Sequence, residues 1–151
     1  RVEGCDDFNH VLVWSQPLVL GVHKDSPLAK RKSINLSELG GKEVLTYSSS
    51  SPTDSSITKL LPLDSMNLRR EYADEITVCS LVTSSKDKMA LFCYSFLVSA
   101  FQDVVCLRIN DLPADFHKVY LTSRRVTHPK VVDDFIEFMS AYRFPNIMSQ
   151  E

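Results

Sequence analysis

The sequence predicts an α/β fold in which helices are layered on a largely parallel sheet, and three observations predict it. Short apolar runs bounded by Pro, Gly and Ser alternate with segments of helical spacing, the order expected of βαβ units. At 44% hydrophobic and 24% charged over 151 residues, the composition is that of an ordinary globular domain. A chain of this length buries about two-thirds of its unfolded surface, enough for a true core. Finally, THPKVVDDFIEFMSAYRF repeats Val131, Phe135, Phe138 and Tyr142 at helical spacing.

Residues 10–22 (HVLVWSQPLVLGV) read as a strand broken at Gln16–Pro17, because proline cannot donate to a ladder. Residues 34–39 (INLSEL) predict a short helical turn stopped by Gly40–Gly41, and EVLTY (43–47) a strand. The loop SSSSPTDSS feeds a helix through about Leu61, with Pro52, Thr53, Asp54 and Ser55 near its start and Pro62 ending it. LRREY (68–72) alternates like a strand. A helix follows over 75–84, capped by Asp74, with Ile76, Cys79 and Val82 or Leu81 and Val78 on its apolar side. KMALFC (88–93), VVCLRIN (104–110) and KVYLTSR (118–124) are strands, and YSFLVSAF between them is a short helix or a continued apolar run. In the last helix Thr127 is the expected cap, Pro129 sits just inside, and Val132, Ile136 and Met139 widen the apolar face.

Several classes of function are excluded or left without support. A net charge of −2 gives no field for nucleic acid or anionic membrane, and KRK (30–32), Arg69, Arg70, Arg124 and Arg125 read as solvated faces. There is no run of about 18 apolar residues and no export-signal pattern, so no membrane partner is expected. Beginning at Arg1, the chain is expected to have been trimmed from something longer. Cys5, Cys79, Cys93 and Cys106 have neither CxxC pairing nor metal spacing and read as reduced thiols of a cytoplasmic protein. GxSxG, HExxH, GxGxxG and phosphate-cradling loops are missing, and His10, His23, His117 and His128 are scattered. Neither an enzyme nor a cofactor nor a metal is indicated.

What remains is a set of hydroxyls at predicted strand ends, where ligands bind in open α/β sheets. Ser48 to Ser51 and Thr53 follow EVLTY and precede a helix start, where free N–H groups favour an anion. Thr77 and Ser80 lie in the helix after LRREY. Taken singly, each is read more plainly as a cap or a loop residue; together they make a candidate site.

The stretch LVLGVHKDSPLAKRKSINLSELGGKEVLTY resembles a connection in the effector-binding domain of LysR-type transcriptional regulators. There, an apolar strand leads through a His-Pro-Leu-Ala turn to an isoleucine–polar–leucine bridge and a Leu-x-Gly segment. Here the turn is Asp25-Ser26-Pro27-Leu28-Ala29, and Ile34, Leu36, Leu39 and Gly41 match the rest. ADEITVCSLVTSSKDKMALFC and HKVYLTSRRVTHPKVVDDFIEFM resemble the family's later helix–strand and terminal strand–loop–helix segments. The resemblance runs from about residue 10 to residue 144. It departs at Ser85, Lys86, Asp87 and Lys88, which stand where the family has glycines, and at Cys93, which replaces a proline.

The resemblance implies a periplasmic-binding-protein-like (type 2) fold, of which this chain would be a fragment holding one complete lobe and part of a second. Residues 1–23 would be a remnant of lobe one and the first hinge crossing, 24–117 lobe two, and 118–151 the return crossing and a terminal helix packing on lobe one. The helix-turn-helix that reads DNA is expected to lie outside this chain. The implied function is sensing of a small organic effector, a carboxylate being one class, and assembly into a homodimer or tetramer. Ser48, Ser49, Thr53, Thr77, Ser80, Phe92 and Cys93 would face the ligand, with Arg124 or Arg125 as a charge-assisted clamp. A solute-binding module of a transport system and a dimerisation domain that senses nothing are the alternatives. Val131, Phe135 and Phe138 are expected to stay uncovered and drive self-association.

Overall fold

A computed structural model describes residues 7–51, 57, 59–61 and 65–143. The chain divides into two compact units, one of Gln16–His117 and one of Arg1–Ser15 with Lys118–Glu151.

Eight strands and two longer helices are described: β1 (Phe8–Gln16), β2 (Leu18–His23), β3 (Ser33–Ile34), β4 (Glu43–Tyr47), β5 (Asn67–Tyr72), helix α1 (Glu75–Thr83), β6 (Met89–Cys93), β7 (Val104–Ile109), β8 (His117–Arg124) and helix α2 (Lys130–Ala141). The break expected at Gln16–Pro17 separates β1 from β2. YSFLVSAF resolves into a 3-10 turn over Phe96–Ala100, with two further 3-10 turns at Pro27–Lys30 and Leu36–Leu39. The helix expected between Ser48 and Leu61 falls largely outside the described residues.

In the first unit six strands form one sheet in the order β3-β7-β2-β6-β4-β5. β4 pairs parallel with β5 and β6, and β3 pairs parallel with β7. β2 lies antiparallel to both neighbours, with Leu20 opposite Leu91 of β6 and Leu107 of β7. Five strands therefore run one way and β2 alone opposes them. The expected parallel sheet holds except at its centre, where β2 runs against both of its neighbours.

The core is built on this sheet. Val19, Leu20, Val22, Val44, Leu91, Phe92 and Leu107 are fully buried or nearly so. Such a continuous apolar run in β2 is what a strand covered on both faces requires. Gly21 is needed here for space: a Cβ on it would stand 2.7 Å from Phe92 Cζ, and closer to Cε1. α1 contributes Val78, Cys79 and Val82. The connection quoted above is fixed by local polar bonds. Ser26 Oγ accepts from Leu28 N, and the Arg31 guanidinium donates to both oxygens of Glu38, at 2.6 and 3.0 Å. That pairing, with a further bond from Asn35 N, pulls the Glu38 carboxyl down to about 2. Gly41 then turns the chain into β4 at a φ of 75°, the left-handed region that glycine alone enters freely.

The turn carrying Ser85, Lys86, Asp87 and Lys88 needs no such residue. No non-glycine residue among those described has a positive φ. Lys88 N donates to Ser85 O, and Lys88 Nζ to Ser84 Oγ.

In the other unit β1 and β8 form a two-stranded sheet. Arg125 N donates to Asp7 O, and His10 bonds Thr122 across the pair. α2 begins later than expected. Pro129 occupies the cap position with no side-chain bond, and Thr127 caps nothing. A residue before proline is pushed away from helical geometry, so His128 cannot open the helix. Val132, Ile136 and Met139 form the half-buried stripe of α2, whereas Val131 (73% exposed), Phe135, Phe138 (58%) and Tyr142 face outward. No residue of α2 is buried.

Candidate functional site

Because β4, β5, β6 and β7 share a direction and β2 opposes them, their carboxyl ends and the amino end of β2 lie along one edge of the first unit. A polar cluster is assembled there from five parts of the chain. Tyr47 ends β4 and its hydroxyl accepts from Cys93 N at 3.0 Å. Ser95, two residues past β6 and only 4% exposed, donates to Glu75 Oε1 at 2.9 Å. Buried Gln16, just before β2, donates its amide to Tyr94 O at 3.1 Å. His117, which closes this unit, is near enough to Glu75 to feel its charge.

The start of α1 shapes the electrostatics. Asp74 caps the helix by accepting from Thr77 N at 2.8 Å, and Glu75 follows in the first turn. These acids complement the positive end of the helix dipole. Around them the titratable groups are held neutral. Burial, reinforced by the Glu75 charge, pushes the thiols of Cys79 and Cys93 up to about 12 and raises the Tyr47 hydroxyl beyond its ordinary range. Burial lowers His117, against the pull of Glu75. Ile76, Phe96 and Leu97, each next in sequence to a cluster member or to its neighbour, are exposed apolar residues.

The residues expected from sequence are dispersed relative to this cluster. Ser48 is half-buried and spent locally, its N–H donating to Tyr72 O and its Oγ bonding Ser50 Oγ at 2.9 Å. Ser49 and Thr77 are exposed. Ser80 is exposed as well, but its hydroxyl donates back along the helix to Ile76 O. Phe92, expected at a ligand-facing floor, has no exposed surface and packs over Gly21 as core. Cys93 is buried beside Tyr47 and joins the cluster through its backbone. Arg124 belongs to the other unit, where it is exposed and its carbonyl accepts from the His128 ring. Thr53 lies outside the described residues.

Gln16, Tyr47, Glu75, Ser95 and His117 were not read as site residues from sequence. Ser95 obeys the same strand-end rule that singled out Ser48, but the apolar letters around it hid the hydroxyl. A groove of 480 Å³ lined by Leu36, Leu60, Asp111 and Leu112 contains none of the cluster. Asp111, its charged residue, is occupied in bonding Leu36 N. No three His, Cys, Asp or Glu side chains among the described residues are grouped to hold a metal ion. No helix among them is long and apolar enough to cross a membrane.

Residues 5–143 match the family model described as LysR substrate binding domain. Among solved structures, the effector-binding domain of QuiR in complex with shikimate aligns with a TM-score of 0.73 at 21% identity, over 92% of this chain and 66% of that one. The Synechocystis PCC6803 CcmR regulatory domain in complex with 2-PG aligns at 0.72 and 18% identity, over 89% of this chain and 66% of that one. Full-length CbnR complexed with its target DNA aligns at 0.68 and 18% identity, this chain covering 47% of it. The chain thus spans less than two thirds of each of these relatives. No curated protein matches it. At such identities the likeness establishes the fold, the periplasmic-binding-protein-like effector-binding fold of these regulators.

Proposed function

This chain belongs to the LysR substrate binding domain family, and from that premise we propose that it is the small-molecule sensing part of a transcriptional regulator. The observation that carries the proposal is the polar cluster of Gln16, Tyr47, Glu75, Ser95 and His117 at the carboxyl ends of the sheet, where an α/β fold receives its ligands. Ser49 and Thr77, exposed on the segments that follow Tyr47 and Glu75, are further ligand contacts in this reading. In the whole protein the effector would shift the balance between two arrangements of the assembly on DNA, with DNA contact made by another segment. The replaced glycines do not argue against sensing, since the turn at Ser85–Lys88 closes with ordinary backbone angles.

A thermal-shift screen of the full regulator against small organic acids, amines, amino acids and polyols tests the proposal. A ligand bound only to the native state raises its stability by mass action. Saturable stabilisation that Thr77→Ala weakens is the expected result; no shift with any compound would overturn it.

We also propose that the chain self-associates, as a homodimer or a higher assembly. The support is the exposed face of Val131, Phe135, Phe138 and Tyr142. Light scattering showing a monodisperse monomer at micromolar concentration would refute this.

A further inference from the structure

We infer that the polar cluster selects a ligand presenting a hydrogen-bond donor, an ammonium above all, to Glu75, and rejects one presenting a carboxylate there. The inference rests on the sensing reading above and names its ligand class.

Glu75 carries the argument. One of its oxygens accepts from Ser95 Oγ, and among the described residues the other has no protein partner. No Lys or Arg among them pairs with this carboxylate. Asp74, one residue earlier, adds a second acid at the same helix start. Of the donors that such a start offers an anion, Thr77 N is already taken by Asp74. A ligand carboxylate arriving here would meet like charge where its attraction should be. Among the described residues, the titratable neighbours do not offset the negative charge. His117 is biased toward its neutral form by burial, and Tyr47, Cys79 and Cys93 keep their protons without gaining positive charge. The Gln16 amide is uncharged and spends one of its two N–H groups on Tyr94 O.

Apolar surface stands beside this acceptor. Phe96, next to Ser95, is 60% exposed, and Leu97 and Ile76 are exposed with it. A donor head on a short apolar or aromatic body matches that pairing, the head on Glu75 and the body on Ile76 and Phe96.

Isothermal titration of the full regulator with isosteric pairs, benzylamine against benzoate and phenethylamine against phenylacetate, tests the inference. Each amine should bind at least about tenfold tighter than its carboxylate partner, the ratio that a single lost charge contact amounts to. Glu75→Gln should erase the preference. Ser95→Ala, which frees the bonded oxygen, should keep or increase it. A purely structural Glu75 predicts lower melting temperatures in both variants with the ratio unmoved, and that result would overturn the inference. So would tighter binding of the carboxylates by the unaltered protein, which leaves sensing intact. Binding of neither series also overturns it, while stabilisation by any other compound of the screen keeps the sensing reading.

Discussion

The two helices differ in a way their sequences do not announce. α2 has the clearer amphipathic pattern, yet none of its residues is buried. α1, whose apolar residues run almost around its circumference, buries Val78, Cys79 and Val82 against the sheet. Periodicity states which faces a helix could bury, and neighbours decide which it does. For α2 the residues turned inward are Val132, Ile136 and Met139, leaving the larger aromatic set outside.

Substitutions on the two sides should separate these cases, the largest effect coming from the sheet under α1. Phe92→Ala removes a fully buried ring and should cost about 3–5 kcal/mol of stability, measured by denaturant unfolding. Gly21→Ala forces a methyl into the space of that ring and should cost about 1–3 kcal/mol. In the double variant Gly21→Ala with Phe92→Leu, part of that cost should return; strictly additive losses would mean the two residues do not share one space.

The caps come next. Asp74→Ala should cost about 1 kcal/mol by releasing Thr77 N, whereas Thr127→Ala, which caps nothing, should stay within about 0.5 kcal/mol. Equal losses would restore Thr127 to the role its position in the sequence suggested. Smallest in stability, within about 0.5 kcal/mol, should be Phe135→Ser with Phe138→Ser on the open face of α2. The same pair should lower the apparent mass in sedimentation if that face joins two copies, and a large loss of stability would show the face to be core.

Much of the fold was legible because the signals were local. EVLTY occupies its strand to the residue, Asp74 caps α1 as its position before an apolar helix implies, and Pro17 breaks the strand at the residue where a donor is missing. The direction of β2 was not legible, since it depends on strands far along the chain. The start of α2 was misplaced because the push of Pro129 on His128 outweighed the favourable chemistry of Thr127. The site was half legible. The rule of strand ends led to the edge of the sheet where the polar cluster lies, but it selected hydroxyls by spelling. Ser48 and Ser80 turned out to satisfy their own backbone and neighbours, while Glu75, Ser95 and Gln16 were hidden by roles as helix start, apolar run and strand break. Whether a polar side chain is spent locally is a property of packing, which one-dimensional patterns do not carry.

The central place of β2 also governs how the protein is made. As a ribosome releases the chain, β2 is the first strand of the six-stranded sheet to emerge, apolar along nearly its whole length. Its ladder partners, reached through Leu91 and Leu107, arrive only after most of the six-stranded unit has been synthesised. Pairings so distant fold slowly because loop closure precedes any gain from contact. Until β6 and β7 appear, β2 offers two open edges to any other extended chain. The strand that organises the finished sheet is thus the one most exposed to aggregation during synthesis, and chaperone dependence should concentrate on nascent chains that end before Val104.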